Sequence, residues 1–221
     1  MEIRRVKKHD VDMTSGSVFR HLLNFAVPLL MGNIFQQLYN TVDTWVVGNY
    51  VSNEAFSAVG TVAPIINTLI GAFSGLASGA GVVISQYYGA GKYDRVKDAV
   101  HTAVMMTLVL SVAFTAIGIA MTPNMLLLMK TPAEVFPESR AYLNIYFSGM
   151  AGLMLYNMGA GILRAVGDSK RPFYYLVCAA VINTVLDLVF VIVFGMGVEG
   201  VAYATIIAQG ISAILTMLTL L

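Results

Sequence analysis

Polar and apolar positions fall in long blocks along this chain rather than alternating at short period. Six stretches, at roughly 18–48, 55–87, 99–121, 139–162, 173–195 and 199–221, stay apolar over the roughly 20 residues that a helix needs to cross a bilayer. The pattern predicts an all-α membrane protein, a bundle of six membrane-spanning helices. The first two stretches exceed a minimal span, so they must tilt, kink or project beyond the headgroups. Pro28 and Pro64 lie inside them as candidate kinks. Turn chemistry marks the gaps. Tyr88-Gly89-Ala90-Gly91-Lys92 separates the second and third spans, and Thr122-Pro123-Asn124 is predicted to end the third. Thr131-Pro132 and Pro137 punctuate the segment before the fourth span. Gly167-Asp168-Ser169-Lys170-Arg171-Pro172 and Gly195-Met196-Gly197 flank the fifth. Residues 18–221 therefore form a single membrane domain behind a polar, basic tail at 1–17. The tail and the length of the first apolar run argue against a cleaved signal peptide. Asp12, Thr14 and Ser15 are helix-cap material before that run.

Composition agrees with this pattern. Of the 221 residues 57% are apolar and 11% charged, and the mean hydropathy is +0.75; an ordinary soluble domain carries about 25% charged residues. A water-soluble domain of this size could not bury so much apolar surface. A cytosolic enzyme, a disordered regulator and a disulfide scaffold are thereby excluded. The net charge of +1 argues against a nucleic-acid partner. Cys178, the single cysteine, cannot form an internal disulfide and is apolar filler. Charge also sets orientation. If the N-terminus is cytoplasmic, all of the 13 Lys and Arg except Lys130 and Arg140 fall on the cytoplasmic side. Six crossings return the C-terminus there. The expectation is a multi-pass protein of the plasma (inner) membrane, with lipid as its surroundings.

Most acidic residues lie in the tail, the loops or the helix ends. Asp43 in the first span and Asp187 in the fifth do not. A carboxylate at the centre of a spanning helix costs about 2.5–3.5 kcal/mol, so such residues mark ion or proton sites by default. Neither has a Lys or Arg in its own span close enough to neutralise it. A structural carboxylate near the outer interface is the plainer alternative for Asp43. Asn33, Gln36 or Gln37, Asn40 and Asp43 or Thr44 recur at three- and four-residue steps, a polar stripe on one helix face. Asn183 precedes Asp187 by one turn, and the sixth span brings Thr205. Oxygen groups on three helices suit Na⁺ coordination or a protonated carboxyl. The stripe also fits interhelical hydrogen bonding, though such bonds average only about 0.6 kcal/mol in membranes and leave both carboxylates unexplained.

Other features carry less chemistry. Gly71, Gly75 and Gly79, with Ser74 and Ser78, form a small-residue ridge suited to close helix packing. Tyr142, Tyr146 and Tyr156 in the fourth span suit interfacial anchoring. Tyr146 and Asn157 are alternatively cavity-lining residues. The 13 Met residues suit either packing or an adaptable pocket. His9, His21 and His101 are interfacial, with no metal-ligand spacing among them.

Several segments together carry a specific resemblance. Pro28-Leu29-Leu30-Met31-Gly32-Asn33-Ile34-Phe35-Gln36-Gln37-Leu38-Tyr39-Asn40-Thr41-Val42-Asp43-Thr44 resembles the first helix of multidrug and toxic compound extrusion (MATE) transporters. Ile84-Ser85-Gln86-Tyr87-Tyr88-Gly89-Ala90-Gly91 resembles the end of their second helix, and Arg164-Ala165-Val166-Gly167-Asp168-Ser169-Lys170-Arg171-Pro172 the loop before their fifth. Asn183-Thr184-Val185-Leu186-Asp187 and Gly197-Val198-Glu199-Gly200-Val201-Ala202-Tyr203-Ala204-Thr205 complete the pattern. The resemblance implies an antiporter, not an enzyme. Such a protein expels small cationic or amphipathic compounds using inward H⁺ or Na⁺ and needs no organic cofactor. Similarity to the branch of DNA-damage-inducible protein F implies a cation site at Asp43, Asn183, Asp187 and Thr205, with any metal limited to Na⁺ there. Gln36 and Tyr39 match lobe-lining positions, and Asn40, Tyr146 and Asn157 join them as substrate-cavity candidates. The family has two lobes of six helices. A chain with one lobe is then expected to be a truncated product or fragment, needing the missing lobe or a second copy.

Two other classes compete. A flippase for lipid-linked oligosaccharides needs intramembrane Arg or Lys, and none is evident. An intramembrane prenyltransferase needs Asp-rich loops for Mg²⁺-diphosphate. Asp94 and Asp98 are four apart, but Lys92, Arg95 and Lys97 surround them, and ion pairing at a helix start is the simpler account.

Overall fold

The computed structural model describes residues 18–221, except the side chains of Val18 and His21. The basic tail with His9, Asp12, Thr14 and Ser15 lies outside the described residues, as does the His21 side chain. All regular structure among the described residues is helical. The helices are α1 (Val18–Tyr50), α2 (Asn53–Gly89), α3 (Tyr93–Leu128), α4 (Phe136–Ser148), α5 (Met150–Ala165), α6 (Lys170–Leu188) and α7 (Gly197–Leu220). A π turn at Val189–Val193 extends α6. By length and composition α2, α3, α6 with its π turn, and α7 can each cross a membrane. Large apolar side chains such as Leu30, Val109, Val112, Val181 and Ile214 cover the outside of the bundle, as the blockwise pattern requires.

The boundaries follow local chemistry. Ser52 caps α2, its Oγ accepting from the Ala55 amide at 3.1 Å. Gly91, at φ +69°, reverses the chain into α3. Asp168 Oδ1 accepts from the Lys170 and Arg171 amides at the start of α6, and its Oδ2 pairs with Arg171 Nε at 3.2 Å.

Four sequence expectations need correction. Pro123 does not end the third span: α3 runs through it to Leu128. A proline in a membrane helix removes one backbone bond, and its neighbours compensate. The single stretch at 139–162 is two helices, α4 and α5, broken at Gly149. Its amide is shared between the carbonyls of Ile145 and Tyr146, each at 3.2 Å. A side chain on Gly149 would collide with Ile206 of α7. Among the described residues, nothing lies within 4 Å of a Cβ placed on Gly71, Gly75 or Gly79. The close approach lies on the neighbouring face of α2, where a Cβ on Gly161 of α5 would sit 3.0 Å from the Ala77 carbonyl. Finally, Asp94 and Asp98 make no ion pair with Lys92, Arg95 or Lys97; among the described residues the only such pair is Asp168–Arg171. Asp94 instead occupies the first turn of α3, where the helix dipole favours an anion.

α7 is the axis of the packing, against α4, α5 and α6. α5 also contacts α2 and α3, while α1 rests mainly on α6. The α5–α7 seam is made by small residues: a Cβ on Gly152 would sit 3.1 Å from the Gly210 backbone, and one on Gly159 would strike Thr216. Phe147, Leu143, Met150, Met154 and Val201 fill the main core beside this seam.

Candidate functional site

Three helices bring polar groups to one place. Tyr39 and Asp43 are one turn apart on α1, Asn183 and Asp187 one turn apart on α6, and Thr205 and Gln209 one turn apart on α7. All six are buried, and Asp187 has no exposed surface. The two carboxyl groups lie within electrostatic reach of each other. Asn183 Nδ2 donates to Thr205 Oγ1 at 3.4 Å. The Thr205 hydroxyl faces two acceptors, Val201 O at 2.9 Å and Asp43 Oδ2 at 3.4 Å. It has one proton to give, so it serves one at a time. Asp43 Oδ1, Asn183 Oδ1 and both Asp187 oxygens are buried without a hydrogen-bond partner. Leaving such acceptors unmatched costs roughly 1–3 kcal/mol each, and more when charged. Two acceptor-only carboxylates cannot satisfy each other; a shared proton or a small cation between them can. Oxygen-only donors of this kind suit Na⁺ or H⁺. Asp187 thus gains no hydrogen bond from Asn183 or Thr205, and the Thr205 hydroxyl reaches Asp43.

The α1 stripe divides between two faces. Tyr39, Asp43, Val46 and Val47 point inward. Gln37, Asn40, Thr41 and Thr44 line an open groove of about 400 Å³ with Trp45 and Phe56. Among the cavity candidates, Asn40 borders this groove, and Tyr39 meets Gln209, whose Nε2 donates to its hydroxyl at 3.4 Å. Gln36 and Asn157 are half-buried, and the Asn157 amide is tied to Leu153 O at 2.8 Å. Tyr146 lies in the main core, stacked on Tyr142 with ring centroids 6.3 Å apart. Tyr142 is buried as well and stands within electrostatic range of both carboxylates, so it is no interfacial anchor. Gln209 escaped the sequence reading. Its signal was present, since Thr205, Gln209, Ser212 and Thr216 place polar groups on one buried face of α7.

Residues 28–189, which carry Tyr39, Asp43, Asn183 and Asp187 of this site, match a known family model, MatE. The chain belongs to the MatE family. MatE relatives in Bacillus subtilis include the probable multidrug resistance proteins YoeA, 38% identical over 93% of this chain and 44% of its own length, and YpnP, 34% identical over 91% and 45%. Among solved structures, a MOP superfamily transporter from Pyrococcus furiosus superposes with a TM-score of 0.89 at 25% identity, covering 96% of this chain and 47% of that one. The chain spans about half the length of the curated relatives it matches. Membership makes this a multi-pass membrane protein of a multidrug efflux transporter family. The flippase alternative is not favoured: no Lys or Arg is among the fully buried described residues.

Proposed function

We propose that this chain is the N-terminal, cation-coupling lobe of a MatE antiporter that exports small cationic or amphipathic compounds. Asp43 and Asp187 are the groups that take up H⁺ or Na⁺, and Asn183 and Thr205 complete the oxygen set. The observation that carries this reading is the cluster of unmatched buried oxygens on Asp43, Asn183 and Asp187. A fold does not retain two unpaired carboxylates in its interior without use for them. The substrate is not taken up in the cavity bordered by Tyr39, Asn183, Thr205 and Gln209, which measures only about 10 Å³, about the size of one water. The groove along Gln37, Asn40, Thr41 and Thr44 has the volume for a drug-sized molecule. Alternating access by rocking requires an opposing bundle, so the lobe exports compounds only with a second lobe or a second copy.

The test is proton uptake by the purified chain in lightly buffered detergent, titrated from mildly alkaline to mildly acidic pH with and without Na⁺. The wild-type chain is expected to take up protons that Na⁺ displaces if Na⁺ couples, and that Na⁺ leaves untouched if H⁺ alone does. The double variant Asp43→Asn/Asp187→Asn loses this component. Equal uptake by both proteins would overturn the reading.

A further inference from the structure

One helical turn from the carboxylates lies a second polar layer of different chemistry. Tyr39 precedes Asp43 by four residues on α1, Asn183 precedes Asp187 by four on α6, and Gln209 follows Thr205 by four on α7. α7 runs antiparallel to α1, as the Tyr39–Gln209 and Asp43–Thr205 contacts show. All three offsets therefore point the same way, and the layers are about 6 Å apart. The second layer holds a phenol and two amides and no carboxylate. It surrounds the cavity of about 10 Å³, closed elsewhere by Ala179, Ala180 and Ala208. Two amide oxygens here lack donors, Asn183 Oδ1 and Gln209 Oε1, although their residues are only 2% and 6% exposed. Tyr39, Leu176, Ala180 and Tyr156 pack together on the far side.

We propose that this cavity is a one-water station on the proton route to the carboxylates, and that Gln209 is the residue that holds the water there. The proposal rests on the reading of Asp43 and Asp187 as a proton-binding pair. A water has two hydrogens, which match the two orphaned amide oxygens and supply two of the two to four polar partners a buried water needs, and Thr205 lines the same cavity. Protonation then proceeds by exchange of bonds. A protonated water gives a proton to Thr205 Oγ1 as the Thr205 hydroxyl proton passes to Asp43 Oδ2. One O–H bond forms and one breaks at threonine, the carboxylate becomes a neutral carboxyl, and the hydronium is left as water. Neutral amides do not retain the proton, so the station conducts it onward without competing for it. The titratable groups facing this region are Asp43 and Tyr39 on α1, Asp187 on α6, Tyr142 and Tyr146 on α4, and Tyr156 on α5; α7 contributes only Thr205 and Gln209.

The experiment is time-resolved infrared spectroscopy of the full purified chain after a downward pH jump, following the C=O stretch of the protonated carboxyl pair. The spectrum of Asp43→Asn/Asp187→Asn is subtracted to isolate that pair. Gln209→Met removes the amide at nearly constant volume, and Ala208→Val fills the cavity while leaving Gln209 in place. Each is expected to slow the rise of the band by about tenfold or more with its final amplitude unchanged. A structural defect alone would reduce the amplitude instead. Should Gln209→Met fail to fold, Ala208→Val decides. Wild-type kinetics at full amplitude in either folded variant overturns the proposal. Absence of any pair-specific band in the wild type overturns the underlying carboxylate reading, a distinct outcome.

Discussion

Replacing Asp187 by Asn changes the most constrained group in the bundle. Asp187 is fully buried and both its carboxylate oxygens lack donors. The amide keeps the shape and adds an N–H donor that can serve Asp43 Oδ1, itself unmatched. The variant removes one buried charge and satisfies one acceptor. Matching a buried acceptor is worth roughly 1–3 kcal/mol, and a chain of this size gains about 2–4 °C in Tm per kcal/mol. Without coupling ion, Asp187→Asn should therefore melt about 2–12 °C above wild type at mildly alkaline pH. The wild-type chain should close the gap as it binds a cation, since a ligand at about 100 times its Kd stabilises by about 2.7 kcal/mol. The variant should gain nothing from the same addition. The assay is thermal unfolding in detergent across a pH series and an Na⁺ series. A variant that melts below wild type in alkaline, Na⁺-free buffer would refute the reasoning, as would a wild-type chain indifferent to both series.

Asp43→Asn and Asp187→Asn should each abolish most of the cation-dependent stabilisation, and the double variant should add little, the outcome expected of the proposed single site; a double-mutant cycle on Tm reads this directly. Gly152→Ala places a methyl 3.1 Å from the Gly210 backbone and should cost about 1–3 kcal/mol. Gly71→Ala, with nothing within 4 Å, should be neutral or stabilising in this chain; the same melting assay compares them. Burial, aided by nearby Glu54, raises the Glu138 pKa at the loop end of α4. The folded state thus holds this proton more tightly than the unfolded one, and its contribution to stability is lost as pH rises through the folded value. Glu138→Gln should melt slightly higher than wild type at neutral pH, and the difference should vanish below the ordinary glutamate range of about 4.3.

The membrane class and most helix positions were legible because lipid demands long apolar runs with their backbone bonds satisfied within each helix. What was not legible depends on packing. Nothing in the hydropathy of Phe147-Ser148-Gly149-Met150 announces a break; that Ile206 of α7 fills the space over Gly149 appears only in the folded packing. Gly71, Gly75 and Gly79 have the spacing of a packing seam, yet the seam forms one face away, at Ala77 and Gly161. Asp43 and Asp187 stood out because an acid in an apolar block is costly, even with a structural carboxylate near the interface open as the plainer reading of Asp43. Gln209 did not, since one amide in a membrane helix is cheap enough to pass as a packing bond. Its meaning appears only when Tyr39 and Asn183 arrive from other helices.

The distance in sequence between Asp43 and Thr205 has a consequence for biosynthesis. Their contact closes over 162 residues. At about 5–20 residues per second, Asp43 is synthesised roughly 8–32 s before the threonine exists. During that interval the helix is in or beside the insertion machinery with a carboxylate whose partners on α6 and α7 have not been made. The charged acid therefore disfavours early release of α1 into lipid, and the arrival of the last two helices relieves it. A nascent chain halted before α7 would present this acid unsatisfied, a signal that membrane quality control can act upon.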